Sequence, residues 1–123
     1  MGRRHKGQLV NGWLNLDKPL GLSSSQVVSR VQRAFDARKA GHGGTLDPLA
    51  TGILPIAFGE ATKTAAFAMN GIKVYHFGVR WGEARSTDDR EGDVIKTHDY
   101  RPTARQIERA LVAFIGTIDQ VPP

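Results

Sequence analysis

The segment Gly41-His42-Gly43-Gly44-Thr45-Leu46-Asp47-Pro48-Leu49-Ala50-Thr51-Gly52-Ile53-Leu54-Pro55 narrows the folds open to this chain more than any other stretch. It sets four glycines and two prolines around a single carboxylate. Glycine reaches positive φ at little steric cost and admits a close neighbour, whereas proline fixes φ and removes a donor. A helix cannot run through such a stretch, so it reads as a shaped loop. Pro48 biases Asp47 toward extended backbone, which would hold its carboxylate out at the lip of a cleft.

Regular elements are expected on both sides of this loop. Residues 1–8 are polar and basic and read as a flexible arm. Gly12 to Asp17 reads as a short strand, and Lys18-Pro19-Leu20-Gly21 is turn chemistry. Ser23, Ser24 and Ser25 are N-cap candidates for a helix whose apolar stripe is Val27, Val28, Val31, Ala34 and Phe35. The opposite face of that helix carries Arg30, Arg33 and Lys39. Those cations could reach phosphates or simply be solvated. After the loop, Ile53 to Phe58 reads as a short buried strand. Glu60 to Met69 reads as an alanine-rich helix closed by Asn70-Gly71.

Farther on, Lys73 to Trp81 places Tyr75, Phe77, Val79 and Trp81 on one face, the period of a strand. Gly82 to Gly92 is turn-rich and reads as a loop, with Asp93 to Thr97 as hairpin partner to the strand before it. Thr103 and Gln106 have capping-box spacing and open a helix with Ile107, Ala110, Leu111 and Phe114 on one stripe, closed by Gly116. A last extended segment, Thr117 to Val121, precedes Pro122-Pro123. Interspersed helices and locally paired strands favour an α+β fold with a mixed, mainly antiparallel sheet.

Composition removes several function classes. The chain of 123 residues is 40% hydrophobic and 24% charged, so a packed core is possible. It has no cysteine, which excludes disulfides and thiolate metal sites. No apolar run approaches the roughly 18 residues of a membrane span, and the basic start lacks the apolar stretch of a signal peptide. The cytoplasm is the expected compartment, with no membrane partner. Net charge is +5, from 17 basic and 12 acidic residues, which favours a polyanionic partner such as nucleic acid.

The loop is not a nucleotide cradle: it lacks the Gly-Lys-Ser/Thr ending of a P-loop and does not fit GxGxxG. No pair of histidines has ligand spacing, so no metal is expected. No G-x-S-x-G is present, and an N-cap explains the serine run. Asp47 remains. Taken alone, a loop aspartate is more often a turn or cap residue than a catalytic one.

The run Gly41 to Ile56 resembles the signature of the TruB family of tRNA pseudouridine synthases. Leu16-Asp17-Lys18-Pro19-Leu20-Gly21-Leu22-Ser23-Ser24 is similar to that family's first motif. Lys73-Val74-Tyr75 sits where the family has its active-site tyrosine, and Thr87-Asp88-Asp89-Arg90-Glu91-Gly92 resembles the acidic turn that follows. Gln120-Val121-Pro122-Pro123 looks like the opening of a further family segment. The match runs in order from about Asn11 to the last residue.

The resemblance implies a pseudouridine synthase-like fold and isomerisation of uridine to pseudouridine in the T-loop of tRNA, at position 55, without cofactor or metal. Asp47 would be the nucleophile and Tyr75 the aromatic that stacks on the flipped base. His42, Gly43, Gly44, Thr45, Lys18 and Asp89 would bind substrate or support the loop that does. The resemblance also implies that residues 9–123 are the N-terminal portion of a longer catalytic domain, monomeric when complete. The arginine that pairs with the nucleophile would lie past Pro123, so the 123-residue chain alone is expected to be inactive. A non-catalytic RNA-binding module or inactive remnant is the alternative.

Overall fold

Strand β1 spans Gly12–Lys18 and turns Leu14, Leu16 and Lys18 toward the core while Trp13, Asn15 and Asp17 stay exposed. Successive strand residues point to opposite faces, so Lys18 follows the two leucines inward. The computed structural model describes residues 7–123. The chain divides into two units, Met1–Val74 and Tyr75–Pro123.

In the first unit, β3 (Gly52–Phe58) is the central strand of a three-stranded sheet, with β1 on one side and β2 (Ala40–His42) on the other, both antiparallel to it. Leu14 pairs with Ile56, Leu16 with Leu54, and Lys18 with Gly52. Helix α1 (Ser24–Ala34) buries Val27 and Val28 against Leu54, Ile56 and Phe58, and Val10, Leu14, Leu16, Leu22, Val31, Ala40 and Leu46 pack around that cluster. Ser23 is the N-cap, in a reciprocal capping box with Gln26. The helix ends in a Schellman arrangement. Asp36 adopts φ +45°, its N–H donates to Arg33 O, and the Ala37 N–H donates to Gln32 O. An aspartate thus stands where a glycine usually does, so no helix stop was legible there.

Four expectations for this unit need correction. The glycine segment is not wholly a loop: Gly41 and His42 belong to β2, and Gly52 to Pro55 belong to β3. The helix over 60–69 opens as a 3₁₀ turn, Gly59–Thr64, and only Ala65–Met69 (α2) is α-helical. Thr62 and Thr64 donate their hydroxyls to the carbonyls of Gly59 and Ala61, three residues back, which favours the tighter winding. The stripe residue Phe35 is the C-cap of α1, its ring 5.2 Å from that of Phe58. Finally, the arm does not extend to residue 8. The Gln8 N–H donates to Asp36 O (2.6 Å) and its carbonyl accepts from the Arg38 N–H (2.9 Å). Residues 1–6 lie outside the described residues.

In the second unit, Tyr75 to Arg80 has no regular structure and forms no strand, contrary to its alternation. A strand is defined by its ladder, and among the described residues none pairs with this segment. The hairpin instead joins β4 (Glu83–Arg85), inside the expected loop, to β5 (Val94–Thr97), with a bulge at Ala84/Arg85. Helix α3 (Ala104–Leu111) carries the expected Thr103/Gln106 capping box and runs on into a 3₁₀ turn, Val112–Phe114. Thr117 to Val121 has no regular structure. All paired strands in both sheets are antiparallel, and the fold class is α+β. Among the described residues, no helix is long and apolar enough to cross a membrane.

Candidate active site

The backbone around Asp47 is tied down on several sides. Its carbonyl accepts the Ala50 N–H at 2.9 Å, closing a turn with Pro48 second, where fixed φ suits the geometry. Leu46 packs on the core cluster. The Ser24 hydroxyl, buried at the start of α1, donates to Leu46 O and accepts from the Leu46 N–H, both at 2.9 Å. Pro48 O accepts the Gly21 N–H at 2.7 Å. The Asp47 side chain itself is exposed, and among the described residues it takes part in no ion pair. A fixed backbone thus presents a free carboxylate.

Lys18 completes the brace. It is 0% exposed, and its Nζ donates to Leu22 O (2.7 Å), Pro19 O (2.9 Å) and Pro48 O (3.4 Å). An ammonium has three protons to donate, and all three face carbonyls. Lys18 was expected among the residues that bind substrate or support the loop that does; its Nζ clamps the Lys18–Leu22 turn to the Asp47 turn. The in-phase alternation Leu14, Leu16, Lys18 was the signal that the lysine would be buried and therefore internally satisfied.

The glycines divide. Gly43 is buried, and its N–H donates to Pro55 O at 2.8 Å. A Cβ there would stand 2.5 Å from Ala68 Cβ and 3.4 Å from the Trp13 ring, so a larger residue would force its neighbours to shift, and Gly43 allows close packing here. Gly44 is half-buried and Thr45 exposed, leading into the Asp47 turn. His42, at the end of β2, is half-buried, and its Nδ1 is buried without a hydrogen-bond partner among the described residues. Such an atom is costly to leave unpaired, at about 1–3 kcal/mol.

Tyr75 and Asp89 belong to the second unit. Tyr75 is exposed, in a segment without regular structure. Asp89 lies in the turn between β4 and β5, where its Oδ1 accepts from Thr87 Oγ1 (2.6 Å) and from the Glu91 N–H (2.8 Å). The Thr87 hydroxyl first, and the Glu91 amide second, hold its carboxyl below the usual carboxylate range. Among the described residues, no three His, Asp or Glu side chains gather in a way that could hold a metal ion.

Residues 32–123 match the family described as TruB family pseudouridylate synthase (N terminal domain). This chain belongs to the TruB family. Over its full 123 residues it is 62% identical to a tRNA pseudouridine synthase B of Rhodospirillum rubrum and 61% identical to that of Caulobacter vibrioides. Over 121 residues, 98% of the chain, it is 63% identical to that of Gluconacetobacter diazotrophicus. In each case it covers 40% of the relative, so the chain spans about two-fifths of the length of the curated relatives it matches. In this TruB-family chain, sequence reasoning missed two site features: the Ser24 hydroxyl bridging both backbone groups of Leu46, and the Trp13–Ala68 surface closing on Gly43. Ser24 was read only as a cap candidate, because its partner lies across a tertiary contact.

Proposed function

We propose that the complete protein isomerises uridine to pseudouridine in the T-loop of tRNA, at position 55, with residues 9–123 forming the N-terminal part of its catalytic domain. The observation that carries this reading is the braced turn that presents Asp47 as an exposed carboxylate within a TruB-family motif.

A base inside a folded loop must be extruded before it can react, at a cost of a few kcal/mol. Stacking on Tyr75 would return about 1–3 kcal/mol. The ionised Asp47 then attacks the flipped nucleotide, at C6 of the base or C1′ of the ribose. The C1′–N1 bond breaks, the uracil turns and C5 bonds to C1′; the bond to Asp47 breaks and returns its carboxylate, the C5 proton departs with Tyr75 as the candidate acceptor, and N1 takes up a proton in its place. The balance is an isomerisation with no redox step. His42, half-buried at the end of β2, would contact the displaced T-loop through the exposed part of its ring. Gly44 and Thr45 would approach its backbone, and Asp89 would act through the turn it orders.

The test is tritium release from uridine-C5-labelled tRNA by the full-length protein. Asp47→Asn lowers the rate by more than about 10³-fold and leaves tRNA affinity within a few-fold of the parent. Sustained turnover by the Asn variant refutes the nucleophile.

A further inference from the structure

The outer face of α1 carries a second set of groups suited to RNA. Ser25, Gln26, Ser29, Arg30 and Arg33 line an open groove of about 340 Å³. The helix contains no acidic residue, and among the described residues neither arginine enters an ion pair. Both arginines are exposed. Arg33 Nε donates to Ser29 O at 3.3 Å, which lays its guanidinium along the groove and leaves the terminal nitrogens free to donate. The nearest acid in sequence, Asp36, sits past the helix end as the backbone stop.

Position matters as much as charge. The groove begins at Ser25, directly after the Ser24 that grips Leu46 beside Asp47. It ends at Arg33, about 12 Å farther along the helix at 1.5 Å per residue. Two guanidinia flanked by serine hydroxyls are donors for phosphodiester oxygens, and such phosphate contacts position a strand without reading its bases.

We infer that this face of α1 is a phosphate track, gripping the backbone of the RNA strand that flanks the reacting nucleotide without reading its sequence. The role rests on RNA being the substrate, as proposed above. The experiment is a salt titration of tRNA affinity with the full-length protein, comparing the parent with Arg30→Gln/Arg33→Gln. Loss of two phosphate contacts lowers the magnitude of the log Kd against log salt slope by about 1.4–1.8. The kinetic loss falls on KM more than on kcat, and Arg30→Lys/Arg33→Lys retains most of the slope. A slope unchanged in the Gln variant overturns the track. So does an unchanged slope accompanied by weakened binding to polyglutamate, which would assign the face to an acidic protein. Failure of the Asp47 assignment is separately visible, because an Asp47→Asn variant that still turns over leaves the slope result standing.

Discussion

Two turns carry the acidic residues of interest, and they are rigid for opposite reasons. The Asp47 turn is held from outside, by Lys18, Ser24 and the Gly21 N–H, against a unit in which Leu54, Ile56 and Ala57 have no exposed surface. The Thr87–Gly92 turn is held from within. Asp89 bonds to Thr87 and Glu91, the Arg85 guanidinium donates to Gly92 O (2.9 Å), and Gly92 is the single buried residue of its unit. In that unit Phe77 (82%), Ile115 (75%) and Phe114 (68%) lie open. A turn that leaves its carboxylate free needs a core to fix the backbone, whereas a turn that spends its carboxylate on itself needs none. This difference suits Asp47 to chemistry and Asp89 to architecture.

The sharpest way to break the comparison is Lys18→Met. The apolar stem survives, but the carbonyls of Pro19, Leu22 and Pro48 lose their donor, and the full-length protein loses about 2–4 kcal/mol in urea unfolding. A loss below about 1 kcal/mol means that the Asp47 turn does not depend on the clamp. Gly43→Ala comes next, at about 1–3 kcal/mol, because its Cβ meets Ala68. Adding Ala68→Gly restores much of that loss, and a double-mutant cycle without coupling removes the packing explanation. Ser24→Ala costs about 1–2 kcal/mol by unpairing the Leu46 backbone, and its kinetic cost falls on kcat more than on KM, since it displaces Asp47 and not the RNA.

The smallest effect is a pH dependence confined to the other turn. The folded Asp89 carboxyl titrates below its unfolded value, so its contribution is complete above the unfolded pKa and fades as pH falls through the lower, folded one. The Glu91 amide resonance follows that titration in NMR, while the Leu46 amide, bound to a hydroxyl, does not. Thr87→Val moves the Asp89 midpoint upward. A Glu91 amide that fails to titrate would remove the Asp89 carboxylate from the bonding of its own turn.

Legibility tracked the range of the interaction. The Thr103/Gln106 capping box was readable because the box spans four consecutive residues, the Ser23/Gln26 box was read only as a run of N-cap candidates, and β1 and β3 were readable from short apolar patterns. The alternation of Tyr75, Phe77, Val79 and Trp81 looked like the clearest strand, yet no ladder forms. Alternation reports which side chains seek one face, not whether another strand is there to pair. Conversely, Glu83–Arg85 has no apolar alternation and pairs because the self-contained turn after it brings Val94–Thr97 alongside. At the site, motif order pointed to Asp47, but the roles of Ser24 and Gly43, and the reach of Lys18 to Pro48 O, depended on partners far off in sequence.

By itself, then, the sequence determined the family, the α+β class, the capped helices and the aspartate to watch. These follow from local sterics, short-range hydrogen bonds and motif order. The tertiary structure alone decided that Lys18 reaches Pro48 O, that Ser24 grips the residue before Asp47 and that Gly43 is a packing contact. Each of those outcomes is a question of which carbonyl, hydroxyl or methyl group stands within about 3 Å, and only the folded chain sets that distance.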